Sequence, residues 1–239
     1  MSYPGGKNGS GVCQQIINRI PPHDIYIEPF LGAGAVLRTK RPARINVACD
    51  IDPAVVGQFR WTPPPELTLL QVDALEYLRG ITLSLPTFIY LDPPYRMSTR
   101  SSQRRLYAAE FSDEQHAALL ETIKDLDCMA MISGYNNALY DDALSGWERA
   151  TFKTTNRAGS HVTESLWMNY PPPQELHDYR FLGDDYRERE RIKRKKARWI
   201  TRLLSMSNIE RNALTAAIAE TADAAGRPAI KSAVGRDRH

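Results

Sequence analysis

The segment 90-YLDPPYR-96 places hydrogen-bond acceptors directly after an apolar run. Asp92 supplies a carboxylate, and Pro93 and Pro94 stiffen the turn and leave the Pro93 carbonyl without local N–H competition. Two acceptors that face one way suit a planar amino group, and Tyr95 offers a flat face for stacking. The segment therefore predicts a pocket for an exocyclic amine on a flat heterocycle. An adenine or cytosine in a duplex reaches such a pocket only when it is flipped out.

A glycine-rich turn, 28-EPFLGAGAV-36, follows the first predicted strand and precedes a helix. Gly32 and Gly34 let the backbone turn sharply and approach a ligand closely. The dinucleotide fingerprint requires a third glycine at position 37, where the chain has Leu37. The pattern favours a cofactor without phosphates over a pyrophosphate, and a tight turn that binds no ligand is the alternative.

Acidic residues follow the next two predicted strands. Asp50 comes directly after an apolar run, where a carboxylate can accept both hydroxyls of a ribose. Asp52 precedes a proline and is expected to cap the following helix. Asp73 has two interpretations, a hydrogen bond to an adenine amino group or the N-cap of a helix over 74–79.

Strand and helix patterns alternate from residue 10 to about 146, which predicts a parallel sheet covered by helices on both faces. Predicted strands cover 25–27, 45–49, 67–72, 87–91 and 129–133, and predicted helices cover 10–19, 34–40, 53–60, 74–79 and 112–126. Two further strand patterns, 147–154 and 162–170, predict a hairpin at the sheet edge. Ligands bind at the carboxyl ends of parallel strands, which is where Asp50 and Asp92 lie.

The charge of the chain is uneven. The net charge is +3, but residues 180–206 contain ten Lys/Arg and only four Asp/Glu. This segment predicts either contact with a polyanion or a solvated helix face with Glu–Arg pairs.

Several classes of protein are disfavoured by composition. No apolar stretch approaches 18 residues and the first twenty residues lack a signal-peptide pattern, so no membrane span is expected. The three scattered cysteines indicate a reducing compartment and no zinc site. No metal site is expected, and His23, His116, His161 and His177 are interpreted as surface or helix residues.

The motifs YPGGK at 3–7, EPFLGAG at 28–34, ACDIDP at 48–53 and DPPY at 92–95 occur in the order seen in Dam-type adenine-N6 DNA methyltransferases. The later 164-ESLWMNY-170 also resembles the last strand of that family, so the resemblance covers roughly 1–170. It implies S-adenosyl-L-methionine as cofactor, double-stranded DNA as partner and a Rossmann-like α/β fold. The sheet would have seven mostly parallel strands with an antiparallel edge strand. A cytoplasmic location in a bacterial or phage-infected cell, as for restriction-modification enzymes, is a further implication.

The resemblance also implies roles for individual residues. Tyr3 and Lys7 would line the cofactor and target pockets, and Phe30, Gly32 and Gly34 would hold the methionine end of the cofactor. Asp50 would bind the ribose. The flipped base would be held by the four residues Asp92, Pro93, Pro94 and Tyr95.

One departure concerns DNA recognition, because the interval from Asp50 to Asp92 is too short for the recognition insert of Dam-type enzymes. Candidate replacements are the segment 96–110 and the hairpin tip. Their candidate contacts are Arg96, Arg100, Arg104, Arg105, Tyr107, Asn156 and Arg157. The expected organisation is a methyltransferase domain over 1–173, a basic helical extension over 174–228 and a disordered tail over 229–239.

Three functions remain open at this point. The first is methylation of adenine N6 in DNA, and the second is methylation of cytosine N4 or of an RNA base. The third is a catalytically silent DNA-binding protein that keeps the cofactor fold, against which the intact Asp92, Pro93 and Tyr95 argue.

Overall fold

The computed structural model describes residues 7, 11–62, 65–95, 111–155 and 161–226. In these ranges the strands are β1 Ile25–Glu28, β2 Ile45–Asp50, β3 Leu67–Gln71, β4 Thr87–Leu91, β5 Met129–Tyr135, β6 Glu148–Thr155 and β7 His161–Met168. The helices are α1 Val12–Ile17, α2 Ala35–Thr39, α3 Pro53–Gln58, α4 Ala74–Gly80, α5 Asp113–Lys124, α6 Ala138–Ala143, α7 Tyr186–Leu204 and α8 Asn208–Gly226.

The seven strands form one sheet in the order β3-β2-β1-β4-β5-β7-β6. The strands β1 to β5 pair in parallel, and β7 pairs antiparallel with both β5 and β6. The predicted fold class, a mostly parallel Rossmann-like sheet with an antiparallel hairpin at one edge, is confirmed. The hairpin extends the sheet beyond β5 by two strands.

The centre of the sheet is buried on both faces. Along β4 every residue is buried, with Phe88 and Tyr90 in one hydrophobic cluster and Ile89 and Leu91 in the other. Helices α1 and α2 contribute to the first cluster, and α4, α5 and α6 contribute to the second. Near-continuous apolar strands are what a parallel sheet between two helical layers requires.

Most predicted elements appear with small shifts of their ends. The capping box at Ser112 is confirmed, since its hydroxyl accepts from the Gln115 N–H while the Gln115 side chain accepts from the Ser112 N–H. Helix α6 was not predicted, although the sequence has an N-cap residue for it. That residue is Asn137, whose side chain accepts from the Tyr140 N–H. The short helix continues the chain directly from the end of β5.

Two compact units divide the chain, at residues 1–186 and 187–239. The first unit includes residues 174–186, beyond the predicted end of the methyltransferase domain at 173, and the domain boundaries themselves stay predictions. In this added part the Asp178 carboxylate accepts from the Arg41 N–H at 2.8 Å, and Arg180 donates to the Thr39 carbonyl at 2.8 Å. The second unit contains α7, whose side chains are mostly exposed, and α8. Residues of the expected tail, 229–239, lie outside the described ranges.

Neither a spanning helix nor a metal cluster is present in the described part of the chain. Its helices are too short or too polar to cross a bilayer. No three His, Cys, Asp or Glu side chains there are grouped as metal ligands.

The interpretation of His23 and His177 as surface residues is wrong. Both are buried, and their rings stack with centroids 3.9 Å apart. His23 Nδ1 lies 2.8 Å from the Pro21 carbonyl, and His177 Nε2 lies 2.9 Å from the Arg41 carbonyl. Burial, with Lys40 nearby, lowers the pKa of His23 to about 3 and that of His177 to about 4. His116, on α5, is also buried.

These histidines predict loss of stability in mild acid. Between pH 6.5 and about 4 the unfolded chain binds protons at both rings and the folded chain does not, so the free energy of unfolding falls as the pH falls. From pH 7.5 to 4.5 the expected loss is about 2–3 kcal/mol per histidine. Urea unfolding at the two pH values measures it. His23→Phe should remove roughly half of this histidine contribution, and His161→Phe, at an exposed position, should leave the pH dependence unchanged.

Candidate active site

The candidate site lies at the switch point of the sheet. Strand β1 pairs with β2 on one side and with β4 on the other, so the connections after β1 and β4 lead in opposite directions. Ligands of open α/β sheets bind in the crevice outside the carboxyl ends of the strands at such a point. The glycine turn after β1 and residues 92–95 after β4 both lie at this edge.

The Asp92 carboxylate is held through one of its oxygens. Oδ1 lies 2.9 Å from Lys7 Nζ and accepts from the Ser133 hydroxyl at 2.9 Å. The Ser133 hydroxyl also lies 2.9 Å from the Tyr90 hydroxyl, deep in the sheet. Within the described part of the chain both bonds go to Oδ1, so the carboxylate is oriented and Oδ2 remains for a ligand donor. The Asp92 side chain is 21% exposed, which leaves it accessible.

Lys7 connects three of the site's side chains. Its ammonium lies 2.9 Å from Asp92 Oδ1 and 2.9 Å from Glu164 Oε1, and it donates to the Tyr95 hydroxyl. Lys7 is only 6% exposed. Burial acts to lower its pKa, but the Asp92 and Glu164 carboxylates outweigh burial and raise it well above the ordinary value. Lys7 is therefore a permanent cation in this site.

Tyr95 forms an aromatic wall beside these charges. Its hydroxyl donates to Glu164 Oε1, and its ring meets that of Tyr135 edge to face with centroids 4.6 Å apart. A small pocket adjoins the wall, lined by Pro93, Tyr95, His116, Ser133, Gly134, Tyr135, Asn137 and Tyr140. Burial, reinforced by Glu164, raises the pKa of Tyr135, so its hydroxyl stays a neutral donor.

The glycine turn has a conformation that requires glycine. Gly32 and Gly34 have φ values of 48° and 62°. The Gly34 N–H donates to the Leu31 carbonyl at 2.7 Å. A Cβ atom on Gly34 would lie 2.5 Å from Phe59 Cε2, so the position is closed to larger residues in two independent ways.

Asp50 joins the turns after β1 and β2. Its Oδ2 accepts from the Gly32 N–H at 2.8 Å and its Oδ1 accepts from the Asp52 N–H at 2.9 Å. Burial raises the pKa of Asp50 and these backbone bonds oppose the rise. A ribose would therefore share oxygens that already fix the glycine turn.

Two other acids act as helix caps. Asp52 accepts from the Ala54 N–H at 2.8 Å, as expected. Asp73 accepts from the N–H groups of Leu75 and Glu76 through one oxygen, which is the N-cap arrangement weighed for it. A contact of Asp73 with a cofactor stays a prediction.

A buried carboxylate ties the end of β1 to α2. Glu28 is 2% exposed, and its Oε2 accepts from the Tyr26 hydroxyl at 2.7 Å and from the Leu37 N–H at 3.1 Å. Burial raises the pKa of Glu28 to about 8. Leu37, at the position of the missing third glycine, thus anchors the helix that follows the turn.

The structure brings together Lys7, Asp92 and Tyr95 in one place, and Gly32 and Asp50 in another. Phe30 packs edge to face on Phe111, with centroids 5.5 Å apart. The other predicted contacts lie outside the described residues: Tyr3, Arg96, Arg100, Arg104, Arg105, Tyr107, Asn156 and Arg157.

Sequence reasoning assigned no role to Ser133, Tyr135 or Glu164. Glu164 gave a signal, since it is a charged residue within a predicted strand, two positions before the apolar run Leu166-Trp167-Met168. Ser133 and Tyr135 lie at the end of β5, where residues beside the switch point also face the crevice.

The family model described as D12 class N6 adenine-specific DNA methyltransferase matches residues 79–157. The matched part includes β4, the 92–95 motif, β5 and β6. It confirms the resemblance over this third of the chain, which contains the DPPY motif. Comparison with curated protein sequences gives no significant match.

Comparison with solved structures finds methyltransferases at low sequence identity. The 23S rRNA methyltransferase ErmE has 12% identity and a TM-score of 0.44, covering 72% of this chain and 71% of its own. The N-methyltransferase NodS from Bradyrhizobium japonicum WM9 has 12% identity and a TM-score of 0.45, covering 66% and 93%. Magnesium protoporphyrin IX methyltransferase from Synechocystis PCC 6803 with bound SAM has 12% identity and a TM-score of 0.40, covering 66% and 74%.

The glycine turn generates a prediction about stability. Gly34→Ala places a Cβ on a residue with positive φ and against Phe59, so we expect it to lower the free energy of unfolding by about 1–3 kcal/mol. Gly57→Ala is the matched control, because a Cβ there meets no atom within 4 Å and lies in helix α3. It should be neutral or stabilising by up to about 1 kcal/mol. Equal effects of the two substitutions in urea unfolding would contradict the strained-turn interpretation.

Proposed function

From the match of residues 79–157 to the adenine-specific family, we propose that the protein transfers a methyl group from S-adenosyl-L-methionine to N6 of a flipped-out adenine in duplex DNA. The observation that carries the proposal is the orientation of Asp92. Its Oδ1 is held by Lys7 and Ser133, and its Oδ2 is left for a substrate donor beside the ring of Tyr95.

The chemistry required of the residues is modest. The adenine amine is a poor nucleophile because its lone pair is delocalised into the ring. Asp92 and the Pro93 carbonyl accept the two amine hydrogens, which draws the nitrogen toward a tetrahedral shape and exposes its lone pair. Positioning and charge stabilisation then supply most of the catalysis.

The residues around the glycine turn fit a cofactor of this class. S-adenosylmethionine, when bound, supplies the methyl group as an electrophile. The turn at Gly32 and Gly34 lies beside Asp50, whose carboxylate is suited to ribose hydroxyls. Tyr3, Phe30 and Asp73 are proposed as further contacts on the grounds of the family resemblance.

No covalent enzyme intermediate is needed, and the cysteines suit none. Burial raises the pKa of Cys13 to about 11, of Cys49 to about 12 and of Cys128 to about 12. Because the thiolate is the nucleophilic form, these thiols are poor nucleophiles at neutral pH.

The test is methyl transfer from labelled cofactor to unmethylated DNA, followed by digestion to nucleosides. The wild type should yield N6-methyladenine, and Asp92→Ala should lower the rate at least about a hundredfold because it removes an acceptor that acts in the transition state. Asp24→Ala is the matched control, since Asp24 precedes β1 at the opposite edge of the sheet.

Other outcomes of this experiment decide against the proposal. Label in N4-methylcytosine or only in RNA would assign a different amine. A folded Asp92→Ala protein with undiminished transfer would remove the role of Asp92. Absence of transfer to any nucleic acid by the wild type would favour a silent binding protein.

We also propose that α7 binds DNA phosphates. The helix has nine Lys/Arg and two Glu over 19 residues, and its side chains are mostly exposed. The two glutamates pair with neighbours on the helix, Glu188 with Arg191 and Glu190 with Lys193. Two acids cannot balance nine bases, so the helix keeps a large positive charge of its own, which suits a polyanion.

Replacing Arg194, Lys195, Lys196 and Arg198 together by Gln tests this role. DNA affinity should fall, and the slope of log K against log salt should shrink by about 0.9 for each phosphate that the variant no longer neutralises. Arg44→Gln, an exposed arginine of the first unit, is the control. An unchanged slope for the fourfold variant would remove α7 from the DNA interface.

A further inference from the structure

Glu164 carries a carboxylate in the interior of the protein, where a charge is unfavourable. It lies within β7, pairs in register with Tyr135 of β5 and Phe152 of β6, and is 4% exposed. Leu166 and Met168, on the same face two and four residues later, belong to the hydrophobic core. A buried carboxylate is costly unless it is paired and hydrogen-bonded, so its partners indicate why it is there.

Glu164 has two partners, Lys7 and Tyr95, and both belong to the proposed substrate pocket or contact it. Its Oε1 lies 2.9 Å from Lys7 Nζ and accepts from the Tyr95 hydroxyl. Lys7 in turn lies 2.9 Å from Asp92 Oδ1. Glu164 Oε1 thus contacts two groups. One is the Lys7 ammonium, which lies beside the proposed amine acceptor Asp92, and the other is the hydroxyl of Tyr95, whose ring forms the aromatic wall.

The balance of charge gives this contact a consequence. Lys7 and Asp92 alone would form a neutral pair, whereas Lys7 with Asp92 and Glu164 carries a net charge of −1. Methyl transfer moves positive charge from the cofactor's sulfonium to the amine nitrogen as the N–C bond forms and the S–C bond breaks. The amine proton then leaves to Asp92 or water, and a net negative site stabilises the positive charge that precedes this loss.

We propose that Glu164 is a positioning residue that neutralises Lys7, so that Asp92 keeps its negative charge for the substrate amine, and that fixes Tyr95 by its hydroxyl. This inference rests on the proposed function. It adds that the third charge of the site comes from β7, on the far side of β5.

Glu164→Gln removes the charge and keeps the shape. Relative to the wild type, kcat should fall about ten- to a hundredfold, while the Kd of S-adenosylmethionine, measured by calorimetry, should change less than about threefold. Glu164→Asp keeps the charge and should recover at least part of the lost kcat. Thr163→Val, at the neighbouring exposed position of β7, is the control and should keep wild-type kinetics.

The pH dependence of kcat separates an effect of the Glu164 charge from a merely structural effect of the substitution. Lys7 faces Asp92, Tyr90 and Tyr95 from the β4 segment, Tyr135 from β5 and Glu164 from β7. In Glu164→Gln burial still acts to lower the pKa of Lys7, but one of the two opposing carboxylates is gone. Without its proton Lys7 leaves Asp92 as the one charge of the group, so the kcat of Glu164→Gln should recover as the pH rises through the lowered pKa of Lys7, whereas Glu164→Asp should keep the wild-type pH profile.

A double-mutant cycle completes the test. Lys7→Met with Glu164→Gln removes a positive and a negative charge and restores the net −1, so the double variant should lose less activity than the product of the two single losses. Losses that multiply within about twofold, or a folded Glu164→Gln protein with wild-type kcat and pH profile, would overturn the role. If Glu164→Gln does not fold, a folded Glu164→Asp protein whose kcat rises in this way at alkaline pH overturns it equally.

The outcome is distinguishable from failure of the proposed function. All rates are ratios to the wild type on the base that the wild type methylates. If that base is not adenine, the proposed substrate is wrong and the Glu164 comparison still stands.

Discussion

The site depends on the pairing of one buried ammonium with two carboxylates. Lys7 is almost without solvent contact, and Asp92 and Glu164 each approach it to 2.9 Å. Removing Lys7 would leave two neighbouring carboxylates without a counter-charge, which is expensive. The ion group therefore ties Lys7, which precedes α1, to the end of β4 and to the middle of β7, and it sets the direction of the Asp92 carboxylate. The ion group that fixes the geometry of the candidate site therefore also sets its charge.

The order of the strands explains why this group can form. The parallel strands β1 and β4 place their carboxyl ends side by side, and the reversal of connection between them opens a crevice. Glu28 and Asp50 then fix the glycine turn on one side of it, through the Leu37 and Gly32 N–H groups. A rigid turn and a rigid acceptor on neighbouring strands would suit the in-line methyl transfer proposed above.

Local patterns in the sequence were sufficient for the fold class and for the part of the site that follows individual strands. Asp92, Tyr95 and the two glycines could be placed at one edge of the sheet because the carboxyl ends of parallel strands meet there, and their roles stay predictions. Glu164 and Ser133 could not, because their roles come from the register of β5 against β7, which periodicity does not determine. The stacked His23 and His177 were misjudged for the same reason, since their burial depends on a contact between distant segments.

The position of β7 in the sheet affects biosynthesis. It is the strand that lies between β5 and β6, so β5 presents an unpaired edge until residues 161–168 have left the ribosome and turned back. A nascent chain that ends before them contains the glycine turn and the 92–95 motif but not the carboxylate that balances Lys7. Assembly of the candidate site is thus a late event in its synthesis, delayed until β7 has been made.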